Sequence, residues 1–172
     1  MYQIGELVQY GSTGVCRISE IKPQTLPNSE EERLYYVLVP LYKACVISVP
    51  VDSDKVFMRP IITREEAERL IRLIPTLQFP AYHNRAAKEL AGHYDTLLKS
   101  HSCEDWIQLT MSIYSKKQDQ LSKKRRFGSV DERFLKQAED LLFGEFAAAL
   151  EIPREEVQGY IASKVESLKQ AG

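Results

Sequence analysis

Long apolar runs are missing from this chain: stretches such as Phe146 to Leu150 fall far short of the roughly 20 residues that a membrane-spanning helix needs. The opening MYQIGELVQYG has no basic region followed by an apolar core, so it does not read as a secretory signal. Cysteine is scarce, with only Cys16, Cys45 and Cys103. None forms a C-x-x-C pair and an odd number cannot all be bridged within one chain, so a reduced, cytoplasmic protein is the simplest account. An excess of one charge is absent as well. Lysine and arginine number 23 against 24 aspartates and glutamates, so any nucleic-acid contact has to come from a local patch.

Signatures of catalysis are equally thin. His83, His93 and His101 show no spacing of the HExxH kind and read as solvated or capping residues. Gly11-Ser12-Thr13-Gly14 joins two strands, which makes it a turn and not a phosphate loop. No serine sits in a nucleophile elbow. Cys103 follows a helix start, where the dipole lowers a thiol pKa, but no base partner is evident. The expectation is a protein that is not an enzyme and holds no metal or other cofactor.

What is present is ordinary globular material: 172 residues, 44% hydrophobic and 27% charged, enough for one domain or two small ones. The pattern changes near Thr63. Before it, β-branched and aromatic residues come in short runs: Leu7 to Tyr10, Val15 to Ile21, Leu34 to Leu41, Ala44 to Val51 and Val56 to Met58. Turn formers separate them, and no gap is long enough for a crossover helix. This predicts a small, strongly bent antiparallel sheet or an SH3-like barrel. Leu34 to Leu41 reads as its central strand.

After Thr63 the periodicity is helical. Thr63, Ser102 and Ser129, each with an acid three residues on, read as N-caps. Helices are expected over about 64–74, 84–99, 103–117 and 130–150, with a fifth after Pro153 that carries Val157, Tyr160, Ile161 and Leu168 on its buried face. The fold class is therefore α+β, with a β domain over 1–62 and an all-α domain of about five helices over 63–172. Trp106, the only tryptophan, shares an apolar face with Leu109 and Ile113 and reads as core.

One segment stands out in charge. Lys116, Lys117, Lys123, Lys124, Arg125 and Arg126 face one acid, Asp119. Such a cluster suits phosphate contacts, because cations gain by displacing condensed counterions; a solvated helix end accounts for it equally well. Tyr82, beside Pro80, is available for presentation to a partner.

Taken in order, the motifs resemble the CarD/CdnL family of bacterial transcription regulators. Ile4-Gly5-Glu6-Leu7-Val8-Gln9-Tyr10 with Gly14-Val15-Cys16-Arg17-Ile18 is similar to the family's opening. Tyr35-Tyr36-Val37-Leu38, then Ile47-Ser48-Val49-Pro50, then Met58-Arg59 follow, and Asp131-Glu132-Arg133 through Glu145-Phe146-Ala147 resembles the helical half. Tyr10-Gly11 stands where Tyr-Pro is usual. The resemblance implies a Tudor-like domain that docks on the RNA polymerase β subunit by extending a sheet, here with Tyr36, Val37, Ser48, Val49 and Pro50. Ser48 stands where some members have arginine. It also implies a helical domain that touches promoter DNA, mostly backbone and minor groove, and acts on open-complex stability. Many members carry a W-x-x-R wedge where this chain has Tyr82-His83-Asn84-Arg85. Tyr82, Arg85, Lys88 and the cluster from Lys116 to Arg126 are the implied DNA contacts. A cytoplasmic monomer away from membranes is expected. The alternative from a different class is an interaction adaptor with no DNA contact.

Overall fold

The computed structural model describes residues 1–171. It divides into two compact units, Met1–Ile61 and Ile62–Gly172. A five-stranded antiparallel sheet precedes five α-helices, so the α+β reading with an all-helical C-terminal part holds.

In the first unit the strands are β1 (Leu7–Tyr10), β2 (Gly14–Thr25), β3 (Glu32–Pro40), β4 (Ile47–Pro50) and β5 (Met58–Pro60). They pair in the order β4-β3-β2-β1-β5. One face buries Val8, Cys16, Ile18, Tyr36, Leu38 and Val49. The loose alternation of β2 has a structural cause. Its register with β3 shifts between Ile18 and Glu20, and the extra residue, Ser19, donates its hydroxyl to the Val37 carbonyl at 3.2 Å. A bulge of this kind lets Ile18 and Ile21 share a face although they stand three positions apart, and it bends the sheet. β2 also runs on to Thr25 through Pro23, where a loop is expected from sequence. Its pairing with β1 ends at Arg17, so at Pro23 the strand has a partner on one side only and the missing N–H breaks no ladder.

In the second unit α1 (Arg64–Leu73) runs into a 3-10 turn (Ile74–Thr76), followed by α2 (Ala87–Leu98), α3 (Cys103–Ser122), α4 (Ser129–Leu150) and α5 (Arg154–Ala171). Thr63 caps α1 by accepting from the Glu66 N–H at 3.1 Å, and Ser102 caps α3 through Asp105 at a longer 3.5 Å. Ser129 does not cap: α4 starts a residue earlier than its spacing suggests, with Gly128 at the cap position.

α4 packs on α1, α2, α3 and α5, which explains why its buried residues, from Asp131 to Leu150, spread beyond a single stripe. Trp106 is fully buried and donates to the Leu98 carbonyl at 2.9 Å. The buried carboxylate of Glu145 accepts from the Ile62 N–H at 2.9 Å and from the Cys103 thiol at 3.1 Å. Along α5 only Val157 is buried; Tyr160, Ile161 and Leu168 are half-exposed, so its expected core face is only partly used.

Candidate docking edge and nucleic-acid face

The sheet offers two edges, β4 and β5. β5 has three residues and ends in Pro60. On β4 the Val51 N–H, just past the strand, donates to the Leu34 carbonyl of β3 at 3.0 Å. Main-chain groups of an antiparallel strand point alternately to either side, so Val49 and Ile47 also bond toward β3. The N–H and C=O of Ser48 then face away from it, while the C=O of Pro50 is taken up by the Ser53 N–H at 3.1 Å. Pro50 fits this position because it has no N–H to give. Ser48 is exposed, and Val46 just ahead of the strand is 68% exposed. An incoming strand can pair here with main-chain bonds.

Two residues from the sequence reading do not belong to that edge. Tyr36 and Val37 lie on β3, which is paired with β2 and β4, and both side chains are buried. Their main-chain groups are already engaged, so they shape the module from inside and cannot extend its sheet.

In the helical unit the sequence-derived cations fall into two groups. Tyr82, half-buried, and the exposed Arg85 lie ahead of α2, and the exposed Lys88 is in its first turn. The second group gathers at the C-terminal end of α3, which continues five residues beyond its expected end and carries Lys116 and Lys117 in its last turns. It closes through paired turn bonds: the Lys124 N–H donates to the Leu121 carbonyl at 3.1 Å and the Arg125 N–H to the Gln120 carbonyl at 2.7 Å. Lys124 takes a φ of 55° to allow this. Lys117, Lys123, Lys124, Arg125 and Arg126 are exposed, although Lys123 pairs with Asp119 at 3.3 Å. Cations at a helix C-terminus also meet the negative end of its dipole.

Lys116 must be removed from this exposed set. Its ammonium is buried and sits 2.9 Å from Asp131, which also accepts the Tyr94 hydroxyl at 2.5 Å. Burial and the Asp131 carboxylate hold the Tyr94 phenol well above its ordinary pKa. A lysine two turns from a helix end looks exposed by sequence; only the tertiary position of Asp131 shows otherwise.

Tyr94 ties the two groups together, because it also meets Tyr82 edge-on with ring centroids 6.5 Å apart. Tyr82 itself is not a lone ring. His93 lies flat on it, with centroids 3.6 Å apart and planes at 14°, and Asn84 donates to its hydroxyl at 3.4 Å. Sequence reading treated His93 as solvated. It is exposed, but no spacing signal pairs positions 82 and 93.

Residues 2–62 match the family model of the CarD-like/TRCF RID domain. The N-terminal unit is thus similar to this RID domain over nearly its whole length. RID domains of this type interact with the RNA polymerase β subunit, which supports a general polymerase-binding role for the chain. No curated protein matches the sequence. Among the described residues there is no cluster of His, Cys, Asp and Glu fit to hold a metal ion, and no helix is long and apolar enough to cross a membrane. Within the RID domain Cys16 is buried and burial pushes its thiol up to about 11, whereas Cys45 is exposed.

Proposed function

We propose that this protein is a polymerase-bound regulator of transcription initiation. The RID domain docks on the RNA polymerase β subunit by adding the free edge of β4 to a sheet of the partner. The helical unit then sets Tyr82, Arg85, Lys88 and the exposed cations at the end of α3 against promoter DNA and alters the lifetime of the open complex. The observation that carries the reading is the RID match over residues 2–62, and the unpaired Ser48 edge supplies a physical means of attachment. DNA contact of this sort is electrostatic, so it should be weak, salt-sensitive and tolerant of sequence.

One feature favours a second reading, an adaptor whose helical unit binds another protein. A largely apolar cavity of about 210 Å³ is lined by Met111, Tyr114, Phe143, Ile161 and Val165, and α5 leaves much of its apolar stripe half-exposed.

The test is capture of purified polymerase by the full chain together with open-complex lifetimes. Ser48→Pro removes only an outward-facing donor and places a ring on the edge. One main-chain hydrogen bond is worth about 1 kcal/mol, so with the added clash capture should fall by about tenfold or more. Equal capture by this variant rules out the β4 edge. Reversing charge at Lys124, Arg125 and Arg126 should leave capture intact and abolish the effect on lifetime; an unchanged lifetime effect favours the adaptor.

A further inference from the structure

On the core face of the RID sheet lies a cavity of about 330 Å³, with Tyr2, Tyr10, Tyr36 and Phe57 in its wall, together with Pro50 and the exposed Asp54. The Tyr2 and Tyr36 rings are held before any ligand arrives. The Tyr2 N–H donates to the Tyr36 hydroxyl at 2.8 Å, and the Tyr2 hydroxyl donates to the Met58 carbonyl at 3.2 Å. The two rings are tilted by 58° with centroids 5.8 Å apart. The chain ahead of β5 is held close to the β1 turn: a Cβ added to Gly11 would come within 2.7 Å of Val56 Cγ1. Even so, Phe57 stays 46% and Val56 40% exposed, a pair of apolar side chains kept in water beside the opening.

Charge selects among occupants. Among the described residues the lining carries one charged side chain, Asp54, and no lysine, arginine or histidine. Aromatic faces are the negative side of the ring quadrupole and attract a cation within about 6 Å of a centroid. A neutral apolar group would fill the walls and leave the carboxylate unused, and an anion would meet that carboxylate with the wrong sign. We propose that this cavity takes a cationic side chain, lysine or arginine, from a partner polypeptide. Pro50 belongs both to the cavity and to β4, so a chain paired along that strand passes beside the opening. The proposal rests on the docking reading only for the course of that polypeptide; the preference for a cation is independent of it.

The experiment is an NMR titration of the full-length chain, isotope-labelled at its aromatic rings, with the capped peptide Gly-Ser-Arg-Ser-Gly and with the same peptide carrying citrulline in place of arginine. Citrulline has nearly the shape of arginine and no charge. The expected result is movement of the Tyr2, Tyr10 and Phe57 resonances by the arginine peptide and binding of the citrulline peptide weaker by about tenfold, the range a partly desolvated cation–π contact with a nearby acid provides. Asp54→Asn, an exposed change that leaves the spectrum otherwise intact, should weaken the arginine peptide by a similar factor. Equal binding of both peptides, indifference to Asp54→Asn, or no movement of these rings at millimolar peptide overturns the proposal. Loss of polymerase capture in Ser48→Pro with the arginine preference retained leaves both readings standing. Absence of any polymerase capture with that preference retained defeats the docking reading alone.

Discussion

Replacing Lys116 with methionine keeps most of the side chain's volume and removes its charge. The Lys116 and Asp131 side chains are 5% and 4% exposed, and their charged atoms lie 2.9 Å apart. Without the ammonium, Asp131 keeps one side-chain donor, the Tyr94 hydroxyl, and the favourable dipole of the first turn of α4. Breaking a buried ion pair from one side costs about 3–5 kcal/mol. The helix dipole already favours the carboxylate and offsets up to about 1 kcal/mol of that loss. A net destabilisation of about 3 kcal/mol follows, and with a urea dependence of about 1.5 kcal/mol per molar the midpoint should fall by about 2 M. Trp106 is fully buried in the same unit, so its fluorescence reports the transition. Adding Asp131→Asn to Lys116→Met should recover most of the loss, because the amide still accepts from Tyr94 and no charge stays buried. Lys123→Met, at an exposed site, should stay within about 0.5 kcal/mol of the parent. A shift below about 0.5 M for Lys116→Met, or a double variant no more stable than the single one, refutes the reasoning.

Three further outcomes are expected. His93→Ala removes a stacked neighbour worth about 1 kcal/mol, so Tyr82 should lose its set orientation and the effect on open-complex lifetime should shrink, with His93→Phe restoring it; a Tyr82→Ala variant with full effect would remove Tyr82 from the interface altogether. The Cys16 thiol, raised from 9.0 to about 11 first by burial, ionises more easily in the unfolded chain. Its stabilising contribution is therefore complete below about pH 9 and declines as pH rises toward 11, so denaturant midpoints of the RID domain should fall between these pH values and Cys16→Val should flatten the decline. Gln9 is fully buried and neither side-chain nitrogen nor oxygen has a partner among the described residues. Gln9→Met should raise stability by about 1–3 kcal/mol, measured by thermal unfolding, and a fall instead would show that the amide is satisfied in solution.

How far the sequence could be read depended on the range of the interactions involved. Strand runs, turn glycines and capping threonine are local, and they placed the sheet, the change of character near Thr63 and most helices. Their ends were misplaced where a neighbour overruled propensity. β2 passes through Pro23 because β1 stops short, and α3 outruns its apolar stripe because a left-handed Lys124 closes it five residues later. The proposed docking segment Ser48-Val49-Pro50 was legible as a run, yet its place at an edge and the interior place of Tyr36 and Val37 were not. Strand order is set by pairing between residues far apart in the chain, and spacing carries no record of it.

The candidate nucleic-acid face divides the same way. Composition alone located the cations of 116–126, since charge density is a property of the segment. Burial is a property of what packs on it. Asp131, fifteen residues from Lys116, takes one of those cations into the core, and His93, eleven residues from Tyr82, supplies a ring that no periodicity connects to it. The amino-acid sequence by itself determined the fold class, the shift from sheet to helix and the local charge. Tertiary packing decided which lysine is structural, which strand edge is free, and which aromatic rings face one another, because each of those depends on contacts between residues that chain order keeps apart.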